Sequence, residues 1–276
     1  MQRRSVYLQM RSVYLQMREW GFDPRLFVSA VSGFTGVFED YRKLRRQRRG
    51  SPHGQDFRIG APYFIYKDKA DRAGAARGHY FWQDLLVARE IHKKNPTRHI
   101  DVGSSVAGFV SHVASFREIE VIDIRPLENN IPGVIFTQGD ITRLDIKLEG
   151  VADSVSCLHT LEHIGLGRYG DELDFDGWIS GFENLCRLLS PGGTLYLSVP
   201  TGESQRIEFN AHRVFSLPFL ADFIEQRMCI ERVTFLDDHD NLYENVDLDS
   251  VEARGSFKSN YGLSIWFLSK PGSLPS

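Results

Sequence analysis

The sequence predicts an α/β protein built on a mostly parallel β-sheet with helices on both faces. Three observations support this fold class. Five short apolar runs typical of buried strands alternate with helical runs between residues 78 and 199. Gly103 directly follows the first of these runs, where a chain can turn tightly from a strand into a helix. Two later strand-like runs, 230–236 and 262–269, favour an antiparallel edge that closes the sheet.

The predicted elements follow one another at regular spacing. A helix over 78–94 is ended by Asn95 and Pro96. The predicted strands span 99–102, 119–124, 134–137, 154–158 and 194–199. Helical runs at 106–116 and 178–189 lie between them. This alternation is typical of βαβ units, whose strands are parallel and covered on both faces.

Composition places the chain among ordinary globular proteins. It has 276 residues, 42% hydrophobic and 25% charged, with a formal net charge of −3. A net charge this small gives no reason to expect that the protein as a whole binds nucleic acid or a membrane. Cys157, Cys186 and Cys229 are too widely spaced for a disulfide framework or a zinc site, so we expect buried free thiols in a reducing cytoplasm. No apolar run approaches the roughly 18 residues of a membrane span. The N-terminal arginines are not followed by a continuous hydrophobic segment, so we expect no secretory signal.

The N-terminal residues predict a helical, basic arm over 1–60, followed by the main domain over 61–276. RSVYLQM occurs at 4–10 and again at 11–17, which is the spacing of a heptad repeat. Two heptads are too few for a stable coiled coil. The run YRKLRRQRRG, 41–50, carries six cations. We favour a solvated helix end or linker there, with anionic lipid or nucleic acid as the alternative. If the RSVYLQM repeat is helical, one face of that helix carries Val6, Tyr7, Met10, Val13, Tyr14 and Met17.

The turn after the first strand, within HIDVGSSVAGFV (99–110), is the expected ligand position. Open α/β sheets bind ligands at the carboxyl ends of their strands. The turn lacks the G-x-G-x-x-G pattern of dinucleotide sites, which disfavours a nicotinamide-dependent oxidoreductase. A cofactor without phosphates tolerates serine at the second glycine position, because it needs less exposed backbone.

Acidic residues end three successive predicted strands. Asp101 lies in the first, Asp123 ends the second, and Asp140 follows the third. Asp123 is suited to ribose hydroxyls and Asp140 to an adenine amine. Each alone is often only a turn former or helix cap, but three in order support a nucleoside site.

These segments resemble the class I S-adenosylmethionine-dependent methyltransferases. The resemblance covers about 78–270 and is carried by IDVGSSVAGF, VIDIRP, QGDI, ADSVSCLHTLEHIGLGRYGD and LLSPGGTLYLSVP, in which 190–193 predict a tight turn. It implies a Rossmann-like sheet of seven strands, the last antiparallel, with S-adenosylmethionine as cofactor. Ser105 and Ala107 stand where family members usually carry glycine. The cofactor contacts implied are Asp101, Gly103, Ser104, Ser105, Asp123, Ile124, Asp140, Ile141 and His159.

A narrower resemblance concerns the acceptor. GHYFWQD, HTLEHIGLGRYGD and FNAHRVF are similar to an uncharacterised methyltransferase-like subfamily associated with bacterial polysaccharide clusters. This similarity implies a saccharide-linked acceptor. In GHYFWQD, His79 and Gln83 are further candidates for lining the pocket.

The loop after the fourth strand supplies candidate catalytic groups. A hydroxyl acceptor needs a base, and histidine is the usual choice near neutral pH. His163 is the first candidate, His212 the second, and His159 lies nearby. A metal is not expected, because no third ligand accompanies the two loop histidines at motif spacing. Candidate substrate-binding residues are Glu162, Arg168, Tyr169, Asn210 and Arg213. The alternative for each is a structural hydrogen bond or loop packing.

The leading hypothesis is methyl transfer to a small or saccharide-linked acceptor, through O-methylation. The first alternative is a non-catalytic binding or scaffold subunit in glycan assembly, favoured by the glycine-poor turn. A nucleic-acid methyltransferase using the basic run as a phosphate clamp ranks third. Peripheral membrane contact by the basic arm also stays open.

Overall fold

The computed structural model describes residues 24–60 and 76–272. The chain divides into two compact units, Met1–Ala75 and Ala76–Ser276. The predicted boundary between residues 60 and 61 stays a prediction, because residues 61–75 lie outside the described part. The heptad repeat at 4–17 also lies outside it.

In the N-terminal unit, helix α1 spans Pro24–Gly50 and carries the basic run in its last turns. The chain then folds back on the helix end, where Arg48 Nε donates to the carbonyl of Phe57 at 3.0 Å. No helix in the described residues is long and apolar enough to cross a membrane.

Within residues 76–272, the strands of the main sheet span His99–Val102 (β1), Ile119–Asp123 (β2), Val134–Gln138 (β3), Ala152–Leu158 (β4), Leu189–Thr201 (β5), Cys229–Leu236 (β8), Leu242–Tyr243 (β9) and Gly262–Ser269 (β10). These eight strands lie in the order β3-β2-β1-β4-β5-β10-β8-β9. The first five positions are parallel, and β10 runs antiparallel to both neighbours, β5 and β8. This arrangement confirms the predicted fold class; the short β9 adds one strand at the edge. A separate ribbon pairs Arg206–Glu208 (β6) with His212–Val214 (β7).

Helices cover both faces of the sheet and complete two apolar clusters. One cluster packs Phe182 and Leu185 against the strands, and the other packs Ile91 and Phe109. The helices are His79–Lys94 (α2), Ser111–Ala114 (α3), Gly177–Leu188 (α4), Leu217–Glu225 (α5) and Val251–Arg254 (α6).

Two predicted elements differ from the structure. The helix predicted over 106–116 begins as a π-helix, Val106–Val110, and continues as α3. Its wider turn is closed by the Val110 amide, which donates to the Ser105 carbonyl at 3.2 Å. The tight turn predicted at 190–193 is a bulge inside β5, because Ala152 pairs with Leu189 and Ser154 with Thr194.

The cysteine prediction is partly wrong. Cys157 is a buried free thiol, but Cys186 is only half-buried and Cys229 is exposed. Cys229 begins β8 on the half of that strand where exposed and partly covered residues alternate, so an apolar neighbourhood in the sequence did not guarantee burial.

Candidate functional site

A cavity of about 450 Å³ opens at the carboxyl ends of β1, β2, β3 and β4. This is where open α/β sheets bind ligands, and the volume lies within the range of small-molecule sites. Two groups of residues form parts of its wall. We call Gly103, Asp123, Ile124, Asp140 and Ile141 the strand-end wall, and His159 with His163 and the Glu162 behind them the histidine wall.

Asp140 lines the cavity at the end of β3. Its Oδ1 accepts from the amide of Thr142 at 2.9 Å and from the Thr142 hydroxyl at 2.8 Å, which caps a 3-10 turn. No hydrogen bond among the described residues uses its Oδ2, so this oxygen remains an acceptor for a ligand. Apolar side chains surround this part of the cavity: Ile122, Ile124, Phe136 and Ile141.

Asp123 also lines the cavity, but Arg125 covers much of its carboxylate. The Arg125 amide and Nε donate to Oδ1 at 2.8 and 3.0 Å, and Nη2 donates to Oδ2 at 2.6 Å. A carboxylate offers about four acceptor positions. Three are taken, so a single position on Oδ2 remains for a ribose hydroxyl unless Arg125 moves.

The glycine-poor turn leaves space for a ligand. Gly103 has φ +72°, and a Cβ there would lie 2.4 Å from Thr160 Cγ2, so the position needs glycine. Ser105 is exposed and lines the cavity, while Ala107 is exposed but does not line it. Neither side chain closes the cavity.

Two predicted cofactor residues have a different position. Asp101 is fully buried and Ser104 nearly so, and neither lines the cavity. Asp101 accepts from the hydroxyls of Ser104 and Ser156, both at 2.6 Å, and from the Ser104 amide at 3.0 Å. Burial raises the pKa of Asp101 to about 6 against these hydrogen bonds. All hydrogen-bond partners of the Asp101 carboxylate among the described residues are therefore inside the protein, where they stabilise the turn.

Glu162 is the centre of the histidine wall. It is fully buried, and its Oε1 lies 2.5 Å from His159 Nδ1 and 3.7 Å from His163 Nε2. Burial opposes its ionisation, but the attraction and hydrogen bond of His159, with the charge of His163, lower the pKa of Glu162. Its Oε2 has no hydrogen-bond partner among the described residues. Glu162 was predicted to bind substrate; the structure instead places it behind the two imidazoles, without access to the cavity.

His163 lines the cavity, and its environment defines its tautomer. Its Nδ1 lies 2.6 Å from the carbonyl oxygen of Ala211, which can only accept, so Nδ1 carries the hydrogen. Burial lowers the pKa of His163 despite the opposing carboxylate of Glu162. A neutral ring with hydrogen on Nδ1 has a lone pair on Nε2, as a general base requires.

His159 lines the cavity with both ring nitrogens engaged. Nδ1 contacts Glu162, and Nε2 lies 3.0 Å from His79 Nδ1. Its backbone has φ +52°, a conformation that is uncommon for residues other than glycine and is concentrated at functional sites.

His79 packs against this imidazole, Tyr261 packs against His79, and neither residue lines the cavity. The His79 ring stacks on His159 at 5.1 Å and on Tyr261 at 5.2 Å. Burial, with the neighbouring charge of His159, lowers the pKa of His79 to about 4. The predicted pocket position of Gln83 is also wrong: it is buried and accepts from Ser198 Oγ at 2.6 Å.

Arg213 was predicted to bind substrate but is a buried structural residue. Its guanidinium donates to the carbonyls of Ile164 at 2.5 Å and Phe175 at 2.9 Å. It thereby holds the loop after β4 against β7. The two other residues predicted on this segment, Asn210 and His212, do not line the cavity; Asn210 is exposed, and His212 Nε2 lies 3.2 Å from Glu208 Oε2.

Tyr169 lines the cavity between two guanidinium groups. Arg125 lies 4.8 Å from its ring centroid and Arg168 lies 5.1 Å from it. Arg168 also donates to the Ala211 carbonyl at 2.9 Å. The loop that carries Tyr169 is shaped by Asp171, which accepts from the amides of Gly165, Gly167 and Tyr169.

The sequence interpretation missed Tyr80 and Arg125. Tyr80 lines the cavity and lies 5.1 Å from the His159 ring. The signal for Tyr80 was its position in GHYFWQD, the segment that also contains the pocket candidates His79 and Gln83. Arg125 stands inside VIDIRP, two residues after Asp123, where a cation can fold back on the acid.

A family model described as "Caenorhabditis protein of unknown function, DUF268" matches residues 137–258. This stretch is less than half of the chain and includes the histidine wall and the β6–β7 ribbon. No curated protein sequence matches the chain.

Solved structures resemble the chain in fold. The [4+2]-cyclase SpnF has a TM-score of 0.50 at 14% identity, covering 73% of this chain and 86% of the cyclase. N-methyltransferase NodS from Bradyrhizobium japonicum WM9, in complex with S-adenosyl-L-homocysteine, has a TM-score of 0.46 at 10% identity, with coverages of 75% and 92%. The 1,6-didemethyltoxoflavin-N1-methyltransferase of Burkholderia thailandensis has a TM-score of 0.44 at 15% identity, with coverages of 85% and 90%.

The fold is the Rossmann-like α/β fold of class I methyltransferases. At identities this low, the likeness concerns the fold alone. The name of SpnF describes a cyclisation, so a shared fold does not by itself decide the chemistry. These comparisons give no support to the polysaccharide-associated subfamily.

Proposed function

We propose that this chain transfers a methyl group from S-adenosylmethionine to a hydroxyl of a small molecule. The observation that carries the proposal is the cavity, which has nucleoside-binding groups on its strand-end wall and a candidate base on its histidine wall. A saccharide-linked hydroxyl is the acceptor that the narrower sequence resemblance implies, and the cytoplasm is the compartment we expect.

The strand-end wall fits an adenosyl group. Asp140 Oδ2 would accept from the adenine amine, and Ile124 and Ile141 would flank the ring. Asp123 would accept from a ribose hydroxyl through its remaining position. Ser105 leaves room beside Gly103, so the turn can face a ligand without the second glycine.

S-adenosylmethionine, when bound, supplies an electrophilic methyl group on a sulfonium. The chain then has to orient the acceptor and take up its proton, and orientation alone can contribute several kcal/mol. His163 Nε2 would accept the hydroxyl proton. Glu162 Oε1, 3.7 Å away, would stabilise the imidazolium that results, and the Ala211 carbonyl keeps the ring oriented.

His159 has a different part in this proposal. Because both of its nitrogens contact protein groups, it is not free to take a proton from the acceptor. We assign it to positioning Glu162. Tyr169 would contact the acceptor at the mouth of the cavity, where it is 37% exposed. Arg168 does not line the cavity and would act through the Tyr169 ring that it flanks.

Two aspartates provide a matched test of cofactor binding. Asp140 and Asp145 both cap a 3-10 turn through Oδ1, but only Asp140 lines the cavity. Asp140→Asn keeps the cap and replaces the free acceptor by a donor. Isothermal titration with S-adenosylmethionine should show about 10- to 100-fold weaker binding for Asp140→Asn and wild-type binding for Asp145→Asn. Equal affinities for both variants would contradict this adenine site.

The second candidate function is a non-catalytic binding subunit, and Arg125 is the observation that favours it. Its three hydrogen bonds to Asp123 occupy the acid that should bind ribose. This candidate predicts no heat of binding for the wild-type chain even at millimolar S-adenosylmethionine. Measurable binding of the cofactor would remove its main support.

A further inference from the structure

The end of α1 concentrates positive charge in two rows. Arg42, Arg45 and Arg48 recur every three residues, as do Lys43, Arg46 and Arg49. All of them are exposed except the half-buried Arg48. Side chains three or four residues apart are neighbours on a helix, and like charges at these spacings destabilise it. The arrangement is therefore unfavourable for the isolated helix and favourable toward an anionic partner.

Charge is strongly divided between the two units. Residues 1–75 contain fifteen basic and seven acidic residues, a net charge of +8. The whole chain carries −3, so residues 76–276 carry −11. The net charge therefore favours an anionic partner at the N-terminal unit and opposes one at the C-terminal unit.

Local stabilisation accounts for only part of this charge. Arg48 and Arg49 lie in the last turn of α1, where cations interact favourably with the helix dipole. Arg42 and Arg45 lie 5.0 and 5.9 Å from the ring centroids of Phe38 and Tyr41. Lys43 and Arg46 precede the last turn and extend the positive surface toward the middle of α1.

Exposed apolar side chains accompany the cations. Leu44 is 55% exposed, and Phe57 is 78% exposed. The hydrogen bond from Arg48 to the Phe57 carbonyl keeps this phenylalanine beside the basic helix end. Nucleic-acid binding draws mainly on charge, whereas attachment to a bilayer combines basic residues with apolar side chains that enter the interface.

From this combination we propose that the end of α1 and the loop to Gly60 dock on an anionic phospholipid membrane. The basic residues would lie at the headgroups, and Leu44 and Phe57 would insert among them. This docking is independent of the proposed methyl transfer, because it involves no residue of the cavity.

The test is sedimentation of the full chain with phosphatidylcholine vesicles that do or do not contain about 30 mol % phosphatidylglycerol. Binding is expected only to the anionic vesicles and should weaken as salt is added. Substituting Lys43, Arg46 and Arg49 together by Gln should lower the partition coefficient about 100-fold, since each cation near an anionic leaflet contributes about 1 kcal/mol.

The matched control replaces three exposed cations of the C-terminal unit, Arg89, Lys93 and Lys147, by Gln. It should bind vesicles as the wild type does. Replacing Leu44 and Phe57 by Ser should weaken the binding that persists at high salt. Equal loss in the control, equal binding to neutral vesicles, no binding at all, or tighter binding to duplex DNA than to anionic vesicles would each overturn the proposal.

Discussion

The two walls of the cavity are assembled in different ways. In the strand-end wall, each acid takes its partners from its own turn: Asp140 from Thr142 and Asp123 from Arg125. In the histidine wall, Glu162 contacts His159 and His163 from the same loop, but the second partner of each histidine comes from a distant segment. His159 contacts His79 eighty residues away, and His163 contacts Ala211 forty-eight residues away.

Because of this difference, we expect the two walls to respond differently to substitution. A local turn keeps its geometry when a distant residue is replaced, so its variants should alter ligand binding with little loss of stability. A network of buried titratable groups depends on the packing of α2, the loop after β4 and the β6–β7 ribbon together. Its variants should alter stability and the dependence of stability on pH.

The largest effect is expected where the walls meet, at Gly103. Gly103→Ala would place a methyl group 2.4 Å from Thr160 Cγ2 at φ +72°. Positive φ and overpacking together should lower the free energy of unfolding by about 2–5 kcal/mol, measured by urea denaturation. Gly192 provides the control, because it has φ +79° with nothing within 4 Å. Gly192→Ala should lower the free energy of unfolding by only about 1–2 kcal/mol. An equal loss in both variants would show that the Thr160 side chain moves aside without cost.

A smaller effect is expected in the histidine wall as pH falls. The folded chain holds the pKa of His79 at about 4, below its ordinary 6.5, through burial and the charge of His159, against the attraction of Glu162 and Asp238. The unfolded chain therefore takes up a proton first as pH falls, and stability decreases between these two values. From about pH 7.5 to about pH 5, His79 should account for at most about 2 kcal/mol of that loss.

His79→Gln should remove this part of the pH dependence of unfolding, measured by denaturant titration at each pH. His239→Gln, at an exposed histidine, should keep the wild-type dependence. If His79→Gln and wild type lose stability equally between these pH values, then His79 does not remain neutral in the folded chain.

The smallest effect concerns the strand-end wall. Arg125→Ala frees the carboxylate of Asp123, so binding of S-adenosylmethionine should strengthen by about three- to tenfold, comparable to one partly exposed ion pair. Arg168→Ala removes the other guanidinium beside Tyr169 without touching Asp123, and cofactor binding should stay unchanged. Weaker binding after Arg125→Ala would mean that Arg125 itself contacts the ligand.

The sequence alone determined the fold class, the order of the strands along the chain and the position of the cavity. Apolar periodicity set the strands to within a few residues, and β10 matched its predicted range fully. Gly103, Asp123 and Asp140 were found because each lies next to the strand that positions it. Asp101 and Ser104 were predicted beside them but are buried away from the cavity, because spacing cannot tell whether a side chain at a strand end points into the cavity or into the protein.

Tertiary structure alone decided which polar residues are buried and which face the cavity. Arg213 lies beside two other polar residues in FNAHRVF, yet its guanidinium is buried against carbonyls of the loop after β4. Glu162 stands between two histidines in the sequence, and only the packing of α2 against the π-helix, α3 and β10 brings His79 to the same network. Burial and long-range hydrogen bonds arise from segments that are distant in sequence, so no local pattern records them.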